Sequence, residues 1–246
     1  MTIITPKLEF ETASVEQIID VLNGFLEGDK KGWIFSAYPE LRGKLEGKPK
    51  SKREEVIYDF FKNIEKKADL EKKSREFQRS WDDINDKIMK ALSNIVEIEW
   101  PDNCKIITGR VTVNPVCPRY LDFRTFDVNY QFDANKMRPV SIHELLHFIY
   151  FGKWKETFPR AKRREFDNPY LVWKLSEIVP KAILSDKRIQ RVYKNEPQVY
   201  NKFYDIKIKD RAMLDYFQEI YEDRKDFADF LRKSWAFANK HKDKMG

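Results

Sequence analysis

A chain of 246 residues is longer than most single domains but does not force two cores. Apolar residues make up 41% and charged residues 35%, with 8 Gly and 11 Pro, which fits a helix-rich globular chain and excludes disorder over most of its length. A formal net charge of +7 invites a nucleic-acid partner, yet acid is interleaved with base almost everywhere: residues 42–79 hold 13 Lys+Arg against 8 Asp+Glu. A solvated helical face accounts for that mixture, and no nucleic-acid partner is expected.

Ser14-Val15-Glu16-Gln17 has the form of a capping box, and Ile18, Val21, Leu22 and Phe25 follow at helical spacing, so a helix is expected over about 14–27. Residues 28–51 read as an exposed connection around Trp33-Ile34-Phe35. Two further helices are expected at roughly 52–75 and 79–94, with stripes through Val56, Phe60, Ile64 and through Ile84, Ile88, Leu92. Residues 95–100, 106–113, 120–123 and 126–132 alternate apolar with polar residues and predict a small, mostly antiparallel sheet. Helix then returns, with Pro139 in its first turn, an apolar run through Phe151 and Gly152 closing its end. Asn168-Pro169 resembles a cap before a helix reaching about Leu184, bent at Pro180. The tail from about 210 to 240 reads as one or two amphipathic helices. The expected architecture is a single compact α+β domain over 1–246: a helical N-terminal layer (1–94), sheet plus site helices (95–185) and a helical C-terminal part (186–246).

No basic stretch followed by an apolar core opens the chain, and no uninterrupted run of about 18 apolar residues occurs, so neither a secretory signal nor a membrane partner is expected. Cys104 and Cys117 are too few for a disulfide framework and suit a reducing cytoplasm.

The informative segment is His143-Glu144-Leu145-Leu146-His147. Residues four apart are separated by about 400° on an α-helix, so both imidazoles leave one face, a turn apart, and can meet one tetrahedral ion. Glu144 lies beside the first of them, where a carboxylate can act as general base without binding the ion. With 3 His and 20 Glu in the chain, chance yields only about 0.003 such patterns. The rival explanation is a core helix with two ordinary buried histidines, which would have to satisfy three costly polar side chains by other means.

Through these five residues, and through the order small sheet, motif helix, acid-bearing helix, the chain resembles the zincin superfamily of metallopeptidases over about 105–185. The resemblance implies Zn2+ as cofactor and a third protein ligand, with one position left for solvent. Metzincins need Gly and His three and six residues beyond the second ligand; Tyr150 and Lys153 stand there. The remaining histidine, His241, sits near the C-terminus, so the pattern is closer to gluzincins, where a downstream Glu completes the set. Glu177, in the apolar segment 171–179, is the first choice; Glu165 and Asp167 are alternatives in a polar, basic segment. Lys181 stands where thermolysin-like enzymes carry an acid supporting the first histidine, which leaves Asp186 or Asp167 for that task.

The implied activity is hydrolysis of peptide bonds in a peptide or protein substrate, with Glu144 as general base. The resemblance further implies that an extended peptide adds to an outer strand, at 120–124 or 126–132, and that Tyr193, Tyr200, Tyr204 or His241 steadies the oxyanion. The segment 153–164, with 6 basic residues and one acid, suggests acidic substrates. Two other classes remain: a non-catalytic or regulatory zinc-binding protein acting on one protein partner, and a basic nucleic-acid-binding protein with a structural zinc clamp. The spacing of Cys104 and Cys117 forms no CxxC element and argues against the clamp.

Overall fold

The computed structural model of the chain describes residues 5–27 and 31–245. Its elements run β1 (Lys7–Thr12), α1 (Val15–Leu26), α2 (Lys31–Ala37), α3 (Pro39–Leu45), α4 (Lys50–Glu65), α5 (Leu70–Asp82), α6 (Asn85–Val96), β2 (Ile106–Thr112), β3 (Arg119–Tyr120) and β4 (Thr125–Asn129). There follow α7 (Ala134–Thr157), α8 (Leu171–Ile178), α9 (Pro180–Ile183), α10 (Lys187–Gln190), α11 (Asn201–Tyr204), β5 (Lys207–Ile208), β6 (Arg211–Ala212), α12 (Met213–Glu222) and α13 (Phe227–Lys240). The chain is thus a mixed α+β protein, and its contacts divide it into two compact units.

One unit comprises Lys7–Asp83 and Ile106–Ser141 and holds a four-stranded sheet in the order β1-β2-β4-β3. β1 pairs with β2, and β2 with β4, in parallel; only the short β3 runs antiparallel to its neighbour β4. The expectation of a mostly antiparallel sheet is therefore wrong. Connection length explains it: residues 13–105 separate β1 from β2, enough for a crossover, whereas four residues ending at Arg124, in the left-handed region with φ 51°, turn β3 back along β4. Leu8, Phe10, Ile107, Val111, Phe126 and Val128 form the apolar face of this sheet. Helix α5 packs on β1 and β2. It also covers the open edge of β1, because Gln78 accepts from Phe10 N and donates to Leu8 O while the Ser74 hydroxyl donates to Phe10 O. On the other face Arg110 and Asp127, register partners on β2 and β4, form a buried ion pair at 2.7 Å, and the guanidinium lies 4.7 Å from the centre of the Tyr120 ring.

Several boundaries differ from the sequence expectation. The capping box at Ser14 and Gln17 opens α1 as expected. The connection 28–51 falls partly outside the described residues; from Lys31 it forms α2 and α3, with Ile34 and Phe35 buried and Trp33 exposed. The break expected near 76–78 lies instead at 66–69, where Asp69 caps α5 by accepting from Lys72 N. Residues 95–100 are no strand: α6 runs to Val96 and ends at Glu97 in the left-handed region. Residues 126–132, one candidate for an outer peptide-binding strand, contain β4, which is paired on both sides, and 121–123 form a 3-10 turn. The outer strand β3 offers only two residues of main chain.

The other unit comprises residues 84–105 and 142–245, with residues 5 and 6. In it α13 packs on α8 and α12, α12 on α9 and α11, and α10 on α6. β5 and β6 form a two-residue hairpin whose loop, Lys209 and Asp210, has both φ angles positive (50° and 63°), the twist such hairpins need. Among the described residues no helix is long and apolar enough to cross a membrane.

Candidate metal centre

Helix α7 carries the motif. It begins before the expected Pro139, opened by Asp133, whose carboxylate accepts from Lys136 N. It also runs through Gly152 to Thr157, because the apolar run continues with Trp154, 1% exposed. Burial on several sides is what an apolar helix of this length requires: Ile142, Leu145, Leu146, Ile149, Tyr150 and Phe151 are all buried.

His143 and His147 leave this helix together, with ring centroids 4.7 Å apart and Nε2 atoms 2.9 Å apart. The carboxylate of Glu177 arrives from α8. Its Oε2 lies 3.3 Å from His143 Nε2 and its Oε1 3.6 Å from His147 Nε2. Glu177 is 3% exposed and His147 1%, so this is a buried acid facing two imidazoles. Glu144 is 9% exposed, and one carboxylate oxygen lies within 4.8 Å of a nitrogen of each histidine.

A second tier fixes the rings. His147 stacks on Phe151 (6.0 Å, 16° between planes), and Phe151 stacks on Phe166 (4.4 Å, 19°). Phe166 is delivered by the 3-10 helix Arg163–Phe166, which packs on α8. Helix α8 starts at Leu171 with Tyr170 as its N-cap, rather than at Pro169, and the Asn168–Pro169 peptide is cis. The helix breaks at Val179, and α9 starts at Pro180, as the proline led one to expect.

The alternative acids are engaged elsewhere. Glu165 Oε2 accepts from Lys162 N at the start of the 3-10 helix, and Asp167 pairs with Arg163 at 2.7 Å on the surface. Asp186, a candidate for supporting a histidine, caps α10 and accepts from Arg188 and Tyr221. Burial raises its carboxyl, but these hydrogen bonds outweigh it and hold the group well below the usual carboxylate range. Of the oxyanion candidates, Tyr204 donates to Gln198 and His241 packs on Phe237 at the end of α13. The sequence missed Phe151 and Phe166; an aromatic four residues beyond the second histidine was the signal for the first.

The donor set fits a small divalent ion. Zinc held tetrahedrally at about 2.0–2.1 Å separates its ligand atoms by about 3.3 Å. The three separations measured here, 2.9, 3.3 and 3.6 Å, bracket that value. Two imidazoles and a carboxylate are also ligand chemistry that zinc accepts.

Compared with known proteins, the chain matches no protein-family model, no curated protein and no solved structure.

Proposed function

We propose that this chain is a zinc-dependent metallopeptidase of gluzincin-like design, in which His143, His147 and Glu177 hold the ion and Glu144 is the general base. The observation that supports it is the meeting of the two Nε2 atoms with both oxygens of Glu177, a buried acid from a different helix 30 residues further along. A buried carboxylate needs a compensating positive charge, and a divalent cation between it and the imidazoles supplies one. When bound, zinc contributes Lewis acidity, which activates water and polarises a carbonyl.

The side chains divide the remaining work. Glu177 and the imidazoles set the position of the ion, and the Phe151–Phe166 stack keeps the His147 ring from turning. Glu144 stands within one water molecule's reach of the two histidines. It takes a proton from the attacking water and returns it to the amine that leaves. Because Glu144 is almost buried, its carboxylate works where water is scarce and its proton transfers are not diverted to bulk solvent.

The test is the zinc-loaded protein against a mixture of unstructured peptides, wild type beside Glu144→Gln. Losing a general base costs about 10²- to 10⁴-fold, so the variant keeps its zinc and loses cleavage on that scale. Cleavage by the variant at the wild-type rate, or a wild type that holds stoichiometric zinc and cuts nothing, would sink the peptidase and leave a zinc-binding protein that acts on its partner without hydrolysis.

A further inference from the structure

We infer that Arg164, Lys174 and Lys202 form a strip that seats acidic side chains of the substrate beside the candidate metal centre. This rests on the peptidase reading for its location and on separate side chains for its chemistry. The 3-10 helix bearing Arg164 packs on α8, and the Arg164 guanidinium lies 6.0 Å from the centre of the half-exposed Tyr170 ring. One turn further along α8 comes Lys174, whose N–H donates to Tyr170 O. Lys202, on α11, completes the row: Tyr200, which precedes α11, packs near Trp173 with ring centroids 6.5 Å apart. Half-burial together with the charge of Lys202 pulls the Lys174 ammonium below its ordinary pKa.

The three cations lack a counter-charge that several other cations of the same unit have. Arg163 pairs with Asp167, Lys153 with Glu156 and Lys181 with Glu196. Among the described residues, no carboxylate pairs with Arg164, Lys174 or Lys202. Partly burying an ammonium beside a second cation, with no acid to offset either, is unfavourable in the free protein. An anionic ligand removes that penalty, and functional sites are where such uncompensated charge collects.

Position selects the ligand. Lys174 precedes Glu177 by three residues, about 4.5 Å along the helix axis and about 60° around it. An extended peptide advances about 3.3 Å per residue, so an ammonium on a four-carbon stem reaches an acid about one to three residues from the bond held at the metal. Strand addition offers little beside this, since the outer strand β3 has only two residues. Side-chain recognition then carries the specificity, and acidic peptides are the class it fits.

The test uses full-length Glu144→Gln protein loaded with zinc, so that binding is read without turnover. Fluorescence anisotropy compares three peptides of one length that differ only in two positions: Asp and Glu, Asn and Gln, or two Lys. The acidic peptide is expected to bind about tenfold tighter than the amide peptide at low salt, with the gap closing at about 0.5 M salt. Adding Lys174→Gln and Lys202→Gln should erase the gap, whereas adding Lys155→Gln and Arg160→Gln, exposed cations outside the strip, should leave it. Equal binding of acidic and amide peptides overturns the strip, as does an equal effect of the two pairs of substitutions. Wild-type turnover of the amide peptide is measured separately: its absence with the acid preference intact counts against the peptidase alone.

Discussion

Replacing Glu177 by Gln removes one negative charge and almost no volume from a buried position facing both imidazoles at 3.3 and 3.6 Å. If those three groups hold zinc, the change should be visible in thermal unfolding. Zinc at one hundred times its dissociation constant stabilises the wild-type fold by about 2.7 kcal/mol through mass action. For a chain of 246 residues, at about 2–4 °C per kcal/mol, the melting temperature rises by about 5–11 °C over the chelator-treated protein. Loss of the anionic ligand weakens binding at least as much as loss of a supporting residue does, about 100-fold. At the same zinc concentration the variant then gains only about 0.4 kcal/mol, or about 1 °C. Differential scanning calorimetry with and without zinc, paired with elemental analysis, measures both quantities, and Glu144→Gln serves as the control that keeps the full shift. A Glu177→Gln protein that shifts as far as wild type would show that the carboxylate does not bind the ion. A wild type that does not shift and carries no zinc would leave the His–His–Glu cluster a hydrogen-bonded knot.

Three further outcomes follow from packing and charge. Gly109→Ala places a methyl 2.7 and 2.8 Å from two ring carbons of Phe10, whose ring is held edge-on against Phe77 at 5.7 Å; a loss of about 1–3 kcal/mol in urea unfolding with an unchanged m value is expected, and full stability would mean that β1 can shift. Burial pushes the Asp127 carboxyl up to about 6 even though Arg110 pulls it down. Its folded-state value is therefore above the unfolded one, so its contribution is fully present below about pH 4 and is lost as the pH rises to about 6. Wild-type stability relative to Asp127→Asn should fall across that window and level off above it, and a relative stability that rises there would contradict the assignment. The Tyr150 hydroxyl is buried and has no hydrogen-bond partner among the described residues, so Tyr150→Phe should leave the melting temperature unchanged or raise it, and a drop of several degrees would reveal a bond to that hydroxyl.

Local signals were legible in the sequence and long-range ones were not. Ser14 and Gln17 state the start of α1 within four residues, and Pro180 states the break after α8. The gap between α4 and α5 was misplaced because the stripe Leu70, Ser74, Phe77, Trp81 runs straight through the expected break. Strand direction was out of reach: alternation tells which side chains face the core, but Lys7 pairs with Ile106, and nothing local to either segment specifies parallel pairing across that distance. β1 itself escaped notice because KLEFET offers only Leu8 and Phe10 as buried apolar positions. The motif histidines were legible from spacing alone, and Glu177 from being an acid in an apolar helix. The aromatic column behind His147 was half hidden, since Phe166 lies among charged residues that gave no hint of its burial.

The two imidazoles are unequal in one further respect. The His143 side chain is 19% exposed, whereas that of His147 is 1% exposed and stacked against Phe151. An electrophile that acylates imidazoles will meet His143 first and scarcely touch its neighbour.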